Sequence, residues 1–246
     1  MELCGARIVT VETRQELESA ISDKTGMMFF LNKAEPDGLI KSDEFIQIAK
    51  KRGVPTMNDA ASDAMPKENL WKYTKQGFDL VIFSGGKALR GPQATGLLLG
   101  RKDLVEASLP AMSPFGGIGR GMKVGKEEMC GLLAAVERYL KVDHEAEWRT
   151  LEERVTSIRA ALKGIRGVQT DRHVPVIANE VPHVLVRWDE SARGISAQQV
   201  TEKLLAGDPP IHIQQPGKGE LLISVWMMRG DEHKIAGARL RKVLSA

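Results

Sequence analysis

Cysteine and aromatic residues are scarce in this 246-residue chain, and the excess of positive over negative charge is small. Aromatic residues make up 5% of it, the formal net charge is +3, and there are two cysteines. Cys4 and Cys130 cannot form a disulfide framework and do not have the spacing of a metal site, so we expect a reduced, cytoplasmic protein. The small charge excess does not by itself argue for nucleic acid or a membrane surface.

Long hydrophobic runs are also missing. No stretch reaches the roughly 20 apolar residues that a membrane-spanning helix requires. The segment Met1–Gly5 has no basic stretch followed by a hydrophobic one, so we expect no secretory signal. The histidines are scattered without ligand spacing, and we expect solvated or core histidines and no metal site. They are His144, His173, His183, His212 and His233.

Strand and helix patterns alternate over the first three-quarters of the chain, which is typical of a mostly parallel sheet covered by helices. The pattern predicts strands at Arg7–Val11, Thr25–Leu31 (buried on both faces), Val54–Asp59, Phe78–Ser84 and Thr95–Leu99. It predicts helices at Arg14–Ser22, from an N-cap at Ser42 to a stop at Gly53, and at Asn69–Gln76. The expected core face of the second helix is Phe45, Ile48 and Ala49.

A long helical stretch, Lys126–Leu162, follows and is expected to break near Val142–His144. Beyond it the pattern predicts a smaller α/β unit with strands at His183–Trp188 and Glu220–Trp226 and helices at Ala197–Leu205 and Asp231–Leu244. We therefore expect a large domain over residues 1–125, connecting helices over 126–162 and a small C-terminal domain over 163–246.

A lysine and a carboxylate end two of the expected strands. Lys87 lies in a small turn after the apolar run Phe78–Phe83, and Asp59 ends the stretch Val54–Asn58. Because ligands of such sheets bind beyond the carboxyl ends of the strands, both side chains are expected at one edge. A pyridoxal-phosphate enzyme needs this pair. The lysine forms a Schiff base with the cofactor, and the carboxylate keeps the pyridine nitrogen protonated.

Ser84, Gly85 and Gly86 form the turn before this lysine. A hydroxyl and exposed backbone N–H groups suit a phosphate, and glycine lets a backbone approach a ligand closely. Taken alone, this is better explained as a polar surface turn, and the pairing with Asp59 favours the cofactor. A nucleotide-binding P-loop is the competing interpretation, but the glycine required four residues before Gly-Lys-Ser/Thr is absent and Ala88 follows the lysine.

Several basic residues are candidates for binding an anionic substrate group, although each is also explained as a solvated charge. They are Arg90, Arg120, Lys123 and Arg229. Asp63 is expected to be a surface charge.

Three segments carry a family resemblance: Gly53–Pro55 with Asp59–Ala61, Phe83–Gln93, and Met122–Glu128. They resemble the bacterial selenocysteine-synthase-like family, which contains L-seryl-tRNA(Sec) selenium transferase and a D-glucosaminate-6-phosphate ammonia-lyase branch. The resemblance implies a fold-type-I pyridoxal-phosphate enzyme of the aspartate-aminotransferase superfamily. By it, Lys87 matches the Schiff-base lysine and Asp59 the aspartate facing the pyridine nitrogen, while Ser84 and Gly86 fall among the cofactor contacts.

The same resemblance implies a lyase or transferase that acts on an amino acid or amino-sugar acid. Gly86 stands where the selenium transferase has an acidic residue, which favours the ammonia-lyase branch. Members of the family begin with further strands of the large domain, so we expect the chain to be N-terminally truncated, with a partial cofactor domain. The resemblance also implies a homo-oligomer. A tRNA partner is not favoured, because the sequence has no evident tRNA-binding N-terminal domain and no strong basic excess.

Three alternatives stay open. The first is selenium transfer to seryl-tRNA, and the second is a non-catalytic remnant or binding subunit with an empty site. The third is a nucleotide-binding α/β protein that uses the turn at Ser84. In the homo-oligomer that the resemblance implies, the site would lie near the subunit interface.

Overall fold

A computed structural model describes residues 4–214 and 217–245, and these form two compact units. The first unit comprises the described residues up to Val142 together with Val176–Glu180. The second comprises Asp143–Pro175 and the described residues from Val181 onward. The start of the N-terminal segment, in which we expect no secretory signal, lies outside the described residues. Within the described ranges, no helix is long and apolar enough to cross a membrane.

The first unit contains a sheet and its covering helices. Its strands are β1 (Met28–Leu31), β2 (Thr56–Asp59), β3 (Leu80–Ser84) and β4 (Gly96–Gly100). Its helices are α1 (Arg14–Ala20), α2 (Ser42–Arg52), α3 (Asn69–Gln76), α4 (Lys102–Ser108) and α5 (Lys126–Lys141), with short 3-10 helices at Asn32–Ala34, Leu109–Ala111 and Arg120–Met122.

The strands of this sheet lie in the order β1-β2-β3-β4. β1, β2 and β3 are parallel, and β4 runs antiparallel to β3. In the register, Asp59 pairs with Leu31 on one side and with Ile82 on the other. The expectation of a mostly parallel sheet covered by helices is confirmed, and the carboxyl ends of β2 and β3 meet at one edge.

Helix α2 shows how local sequence and core packing agree. Gly53 ends the helix in the left-handed conformation, at φ 67°, which glycine adopts without steric cost. The predicted core residues Phe45, Ile48 and Ala49 are buried. The ring of Phe45 lies 5.1 Å from that of Phe30 in β1, so the helix covers one face of the sheet.

The predicted N-cap of this helix is wrong. Ser42 is the first helical residue, and Lys41, which precedes it, provides no side-chain cap. Instead the carboxylate of Glu35 accepts hydrogen bonds from the Ser42 backbone N–H at 2.9 Å and from its hydroxyl at 3.1 Å. A carboxylate from outside the helix thus satisfies a free donor of the first turn.

Two strand predictions near the N-terminus are also wrong. No strand forms at Arg7–Val11, where Ile8 and Val9 are 59% and 50% exposed. An extended segment needs a neighbouring strand to pair its backbone, and none of the described strands pairs with this one. β1 is not buried on both faces, because Phe29 and Leu31 are 45% and 48% exposed.

The second unit is an antiparallel sheet with helices. Its strands are β5 (Val168–His173), β6 (His183–Trp188) and β7 (Glu220–Ser224), in the order β5-β6-β7. Its helices are α6 (His144–Leu162), α7 (Glu190–Arg193), α8 (Ala197–Leu205) and α9 (Glu232–Ser245). Apolar side chains of α6, β6 and α9 form the core, among them Val155, Ile158, Val184, Val186 and Leu240.

The predicted break in the long helical stretch is confirmed, because α5 ends at Lys141 and α6 begins at His144. Asp143 caps α6 by accepting a 2.9 Å hydrogen bond from the N–H of Ala146. β5 is not predicted from the sequence, because its side chains are mostly polar and exposed. It is an edge strand, and its pairing with β6 defines it.

Candidate active site

Lys87 lies in the turn that follows β3, and its side chain has a hydroxyl partner. The residue is exposed, and its Nζ donates a 2.8 Å hydrogen bond to Ser62 Oγ. Ser62 belongs to the loop after β2, three residues beyond Asp59. The turn after one strand and the loop after its parallel neighbour are therefore in direct contact at this edge.

Asp59 and Ser84 end the two strands that this edge brings together. Asp59 Oδ1 accepts a 3.1 Å hydrogen bond from the N–H of Ala61, which keeps the carboxylate at the strand end. The N–H of Ser84 donates to the carbonyl of Ala61 at 3.2 Å. The structure thus places Asp59, Ser84 and Lys87 at the same edge of the sheet, where the sequence predicts them.

The glycines of the turn are required by close packing within the chain. A Cβ at Gly85 would lie 1.9 Å from Thr95 Oγ1, and one at Gly86 would lie 2.4 Å from Gln93 Oε1 and 2.7 Å from Gln93 Cα. The returning segment also binds the turn, since Gln93 Nε2 donates to the carbonyl of Gly86 at 3.1 Å. Close approach of a cofactor is therefore not needed to explain glycine here.

Arg90 ends the turn in a left-handed conformation, with φ 56°. Such a conformation is uncommon for a residue that is not glycine and is often found at functional sites. The N–H of Arg90 donates to the carbonyl of Lys87 at 2.9 Å, so the turn that presents the lysine is closed by a hydrogen bond.

The other basic candidates lie elsewhere in the chain. Arg120 belongs to the 3-10 helix between α4 and α5, Lys123 follows that helix, and both are exposed. Arg229 is an exposed residue of the second unit, and its N–H donates to Glu232 Oε2 at 2.7 Å in front of α9.

Asp63 is not a surface charge, contrary to the sequence-based expectation. It is 2% exposed, and its Oδ1 accepts a 2.7 Å hydrogen bond from the N–H of Ala178. The adjacent N–H of Asn179 donates to the carbonyl of Ser62 at 3.0 Å. A segment more than 100 residues away thus holds the loop that contacts Lys87, and no local sequence signal marks it.

Two acidic groups near Asp63, the Tyr73 phenol and the Glu180 carboxyl, have raised pKa values. Burial raises the pKa of the Tyr73 phenol above its ordinary value, and the charge of Asp63 raises it further. Burial likewise raises the pKa of Glu180. The positive charge of Lys72 opposes this rise, and the negative charge of Asp63 adds to it. The charge of Asp63 thus acts on both neighbouring groups and disfavours their ionised forms.

The functional groups at this edge fit pyridoxal phosphate by their chemistry. An amine can react with the cofactor aldehyde, a carboxylate can pair with the protonated ring nitrogen, and a hydroxyl with backbone N–H groups can bind phosphate. Lys87, Asp59 and Ser84 supply these groups from adjacent strands. Among the described residues, no cluster of three or more His, Cys, Asp or Glu side chains could hold a metal ion.

Comparison with known proteins gives sequence relatives of three kinds. D-glucosaminate-6-phosphate ammonia lyase from Salmonella typhimurium (strain 14028s / SGSC 2262) is 30% identical over 99% of this chain and 65% of its own length. A 5'-C-glycyluridine monooxygenase-decarboxylase from Streptomyces sp is 34% identical over 86% of this chain and 53% of its own. L-seryl-tRNA(Sec) selenium transferase from Aquifex aeolicus (strain VF5) is 24% identical over 94% of this chain and 56% of its own length. The chain thus spans less than two-thirds of the length of these relatives.

The fold is shared with a solved structure of D-glucosaminate-6-phosphate ammonia-lyase, at a TM-score of 0.77 and 29% identity over 98% of this chain and 64% of that chain. Serine palmitoyltransferase from S. paucimobilis with a bound PLP–myriocin aldimine has the same fold at 13% identity, with a TM-score of 0.54 over 94% of this chain and 59% of that one. The expected fold of pyridoxal-phosphate enzymes is confirmed. A family model described as SelA, L-seryl-tRNA selenium transferase, matches residues 10–170, which is more than half of the chain. The chain therefore belongs to the L-seryl-tRNA selenium transferase family.

Proposed function

We propose that this chain is a pyridoxal-phosphate-dependent lyase that holds its cofactor on Lys87 and acts on an amino acid or amino-sugar acid. One observation carries the proposal: the amine of Lys87 is presented at the carboxyl edge of parallel strands, 2.8 Å from the Ser62 hydroxyl, next to the strand that ends on Asp59. The 30% identity with an ammonia lyase over nearly the whole chain supports the reaction class.

Each residue of the edge then has a role. When bound, pyridoxal phosphate supplies an aldehyde and an electron-withdrawing ring. Asp59 would keep the ring nitrogen protonated. The hydroxyl of Ser84 and the N–H of Gly86 would bind the phosphate, because the N–H groups of Ser84 and Gly85 already donate to the carbonyls of Ala61 and Thr95. The amine of Lys87 would hold the cofactor aldehyde and would move the proton at the substrate α-carbon, in a reaction that loses ammonia or a β-substituent.

A basic residue of the turn suits an acidic substrate. We include Arg90 in the proposal as a binder of its carboxylate or phosphate, while Arg120, Lys123 and Arg229 stay candidates from the sequence alone. Support comes from the phosphorylated acid in the name of the Salmonella relative. The free and exposed cysteines, Cys4 and Cys130, are consistent with a reducing cytoplasmic location.

Cofactor attachment is tested directly on the purified chain. Pyridoxal phosphate is added, and sodium borohydride makes its link to an amine permanent. Peptide mass spectrometry should find the pyridoxyl group on Lys87 and lose it in Lys87→Arg, which keeps the positive charge. Lys102→Arg is the matched control, because its side chain is 88% exposed and it lies outside the edge. Labelling that is spread over many lysines would contradict the proposal.

The reaction class is tested by ammonia release. D-glucosaminate 6-phosphate and L-serine are each supplied to the loaded protein, and we expect release from the phosphorylated acid that Lys87→Arg abolishes. Specific cofactor attachment without release from either would favour the alternative of a non-catalytic binding subunit. The similarity to the Streptomyces relative gives a second reaction to assay, with oxygen uptake on 5'-C-glycyluridine as its measurement.

We also propose a homo-oligomer. Apolar residues of α5 spaced along one side of the helix remain exposed, with Met129 at 53%, Leu133 at 62% and Leu140 at 41%. Exposed apolar surface of this kind is typical of interaction sites. Sedimentation velocity should show a species heavier than the 27.0 kDa chain, and a monomer at micromolar concentration would contradict this.

A further inference from the structure

We propose that Asp63 is a positioning residue for Lys87, and that it acts through Ser62 by anchoring the loop after β2 to the backbone of Ala178 and Asn179. The inference rests on the proposed function only for its effect on cofactor uptake. The placement of the amine itself belongs to the chain without cofactor.

The contacts form a continuous path. Lys87 Nζ donates to Ser62 Oγ at 2.8 Å, and the carbonyl of Ser62 accepts from the N–H of Asn179 at 3.0 Å. The next residue, Asp63, accepts from the N–H of Ala178 at 2.7 Å. Two successive N–H groups of one segment thus hold two successive residues of the loop. The hydroxyl of Ser62 therefore links the amine of Lys87 to the segment that carries Ala178 and Asn179.

The anchoring contact includes three energetically costly features. Burying a carboxylate is unfavourable, and Asp63 is 2% exposed. Ala178 and Asn179 both adopt left-handed conformations, with φ 60° and 61°. This conformation is unfavourable for alanine, whereas asparagine tolerates it better. Asn179 Oδ1 is buried without a hydrogen-bond partner in the described part of the chain. Such features persist where the surroundings impose them, and they cluster at functional sites.

The same loop is fixed from two further directions. Asn69 of α3 donates from Nδ2 to the carbonyl of Asp63 at 2.9 Å, and Tyr139 of α5 donates to the carbonyl of Ala64 at 2.7 Å. These bonds hold the distal part of the loop. On the β2 side the Ser84 N–H holds the carbonyl of Ala61 at 3.2 Å. The contacts of Ser62 itself and of the next residue are those with Asn179 and Ala178.

The test uses two chemical readouts on Lys87 and a mutant cycle. Reductive methylation without cofactor, measured by mass spectrometry relative to Lys102, reports how freely the amine reacts with a small aldehyde. Borohydride trapping with limiting pyridoxal phosphate reports productive orientation. In Asp63→Ala we expect methylation of Lys87 to rise and cofactor trapping to fall, each by about 2- to 10-fold, the range set by one hydrogen bond.

The controls separate positioning from general stability. Ser62→Ala should likewise raise methylation of Lys87 and lower cofactor trapping. The double variant should give changes no larger than those of Ser62→Ala alone, since both substitutions act on one path. Asp63→Asn keeps an oxygen acceptor for the N–H of Ala178 and should restore both readouts.

Two results would overturn the proposal: an unchanged ratio of Lys87 to Lys102 methylation in folded Asp63→Ala, or additive effects in the double variant. If Asp63→Ala does not fold, Asp63→Ser replaces it, because the shorter serine side chain withdraws the acceptor oxygen from the N–H of Ala178. The same changes in methylation and trapping are then expected. Failure of the wild-type chain to take up pyridoxal phosphate would reject the proposed function alone, because methylation needs no cofactor.

Discussion

His183 is a buried titratable group whose protonation state bears on the stability of the second unit. It is 7% exposed, and its Nδ1 lies 2.6 Å from the carbonyl of Val181. Burial lowers its pKa from 6.5, with a further lowering by His173, while the hydrogen bond to Val181 opposes both. The folded unit therefore favours the neutral imidazole.

We expect His183 to make the chain less stable in mild acid. A folded-state pKa below the unfolded value of 6.5 gives stability that is present above pH 6.5 and lost as the pH falls through the folded pKa. The difference in unfolding free energy between wild type and His183→Gln should shrink between pH 7.5 and pH 5, as measured by urea denaturation. His212→Gln, at an exposed position, is the control, and a pH-independent difference would contradict the expectation.

Residues that lie beside their own strand could be predicted from the sequence, whereas residues held by distant contacts could not. Lys87 and Asp59 each follow an apolar strand pattern, and parallel pairing brings them to one edge. The burial of Asp63 depends on Ala178, 115 residues along the chain. One sequence does not reveal such a pairing, so Asp63 reads as an ordinary surface charge.

At the scale of elements, helices with a clear apolar face and end signals were predictable, as were apolar strands, but a strand of mostly polar residues was not. The sequence Arg7–Val11 is rich in β-branched residues, yet it has no strand partner among those described. Conversely, β5 is mostly polar and exposed, and its six-residue pairing with β6 makes it a strand. Strand formation depends on a partner supplied by tertiary structure, while helix hydrogen bonds lie within the segment.

The cap of α2 gives a prediction at this scale. Glu35 accepts from both the N–H and the hydroxyl of Ser42, so Glu35→Ala should lower the unfolding free energy by about 0.5–2 kcal/mol, the usual worth of an N-cap. Urea denaturation followed by circular dichroism measures this. Glu35→Gln retains one acceptor oxygen and should lose less. An unchanged unfolding free energy in Glu35→Ala would show that the carboxylate does not cap the helix.

The balance of charge over the whole molecule bears on the choice between small-molecule and tRNA substrates. The chain has 35 Lys and Arg against 32 Asp and Glu, and several arginines are paired with carboxylates. The pairs are Arg101 with Asp79 and Asp103, Arg172 with Glu152, and Arg187 with Asp171 and Glu220. Such pairing leaves fewer cations to neutralise phosphates, which supply most of the affinity of nucleic-acid binding.

We therefore expect this chain to bind seryl-tRNA no more tightly than non-specific contacts allow, with Kd of roughly 10⁻⁴–10⁻⁶ M near physiological salt. Filter binding over a salt series measures this, with unacylated tRNA as the matched control. Retention should be weak, equal for the two RNAs and abolished as salt rises, because displaced counterions then rebind the RNA. Tight, salt-resistant retention that requires the seryl group would contradict this expectation. It would favour selenium transfer over ammonia loss as the reaction at Lys87.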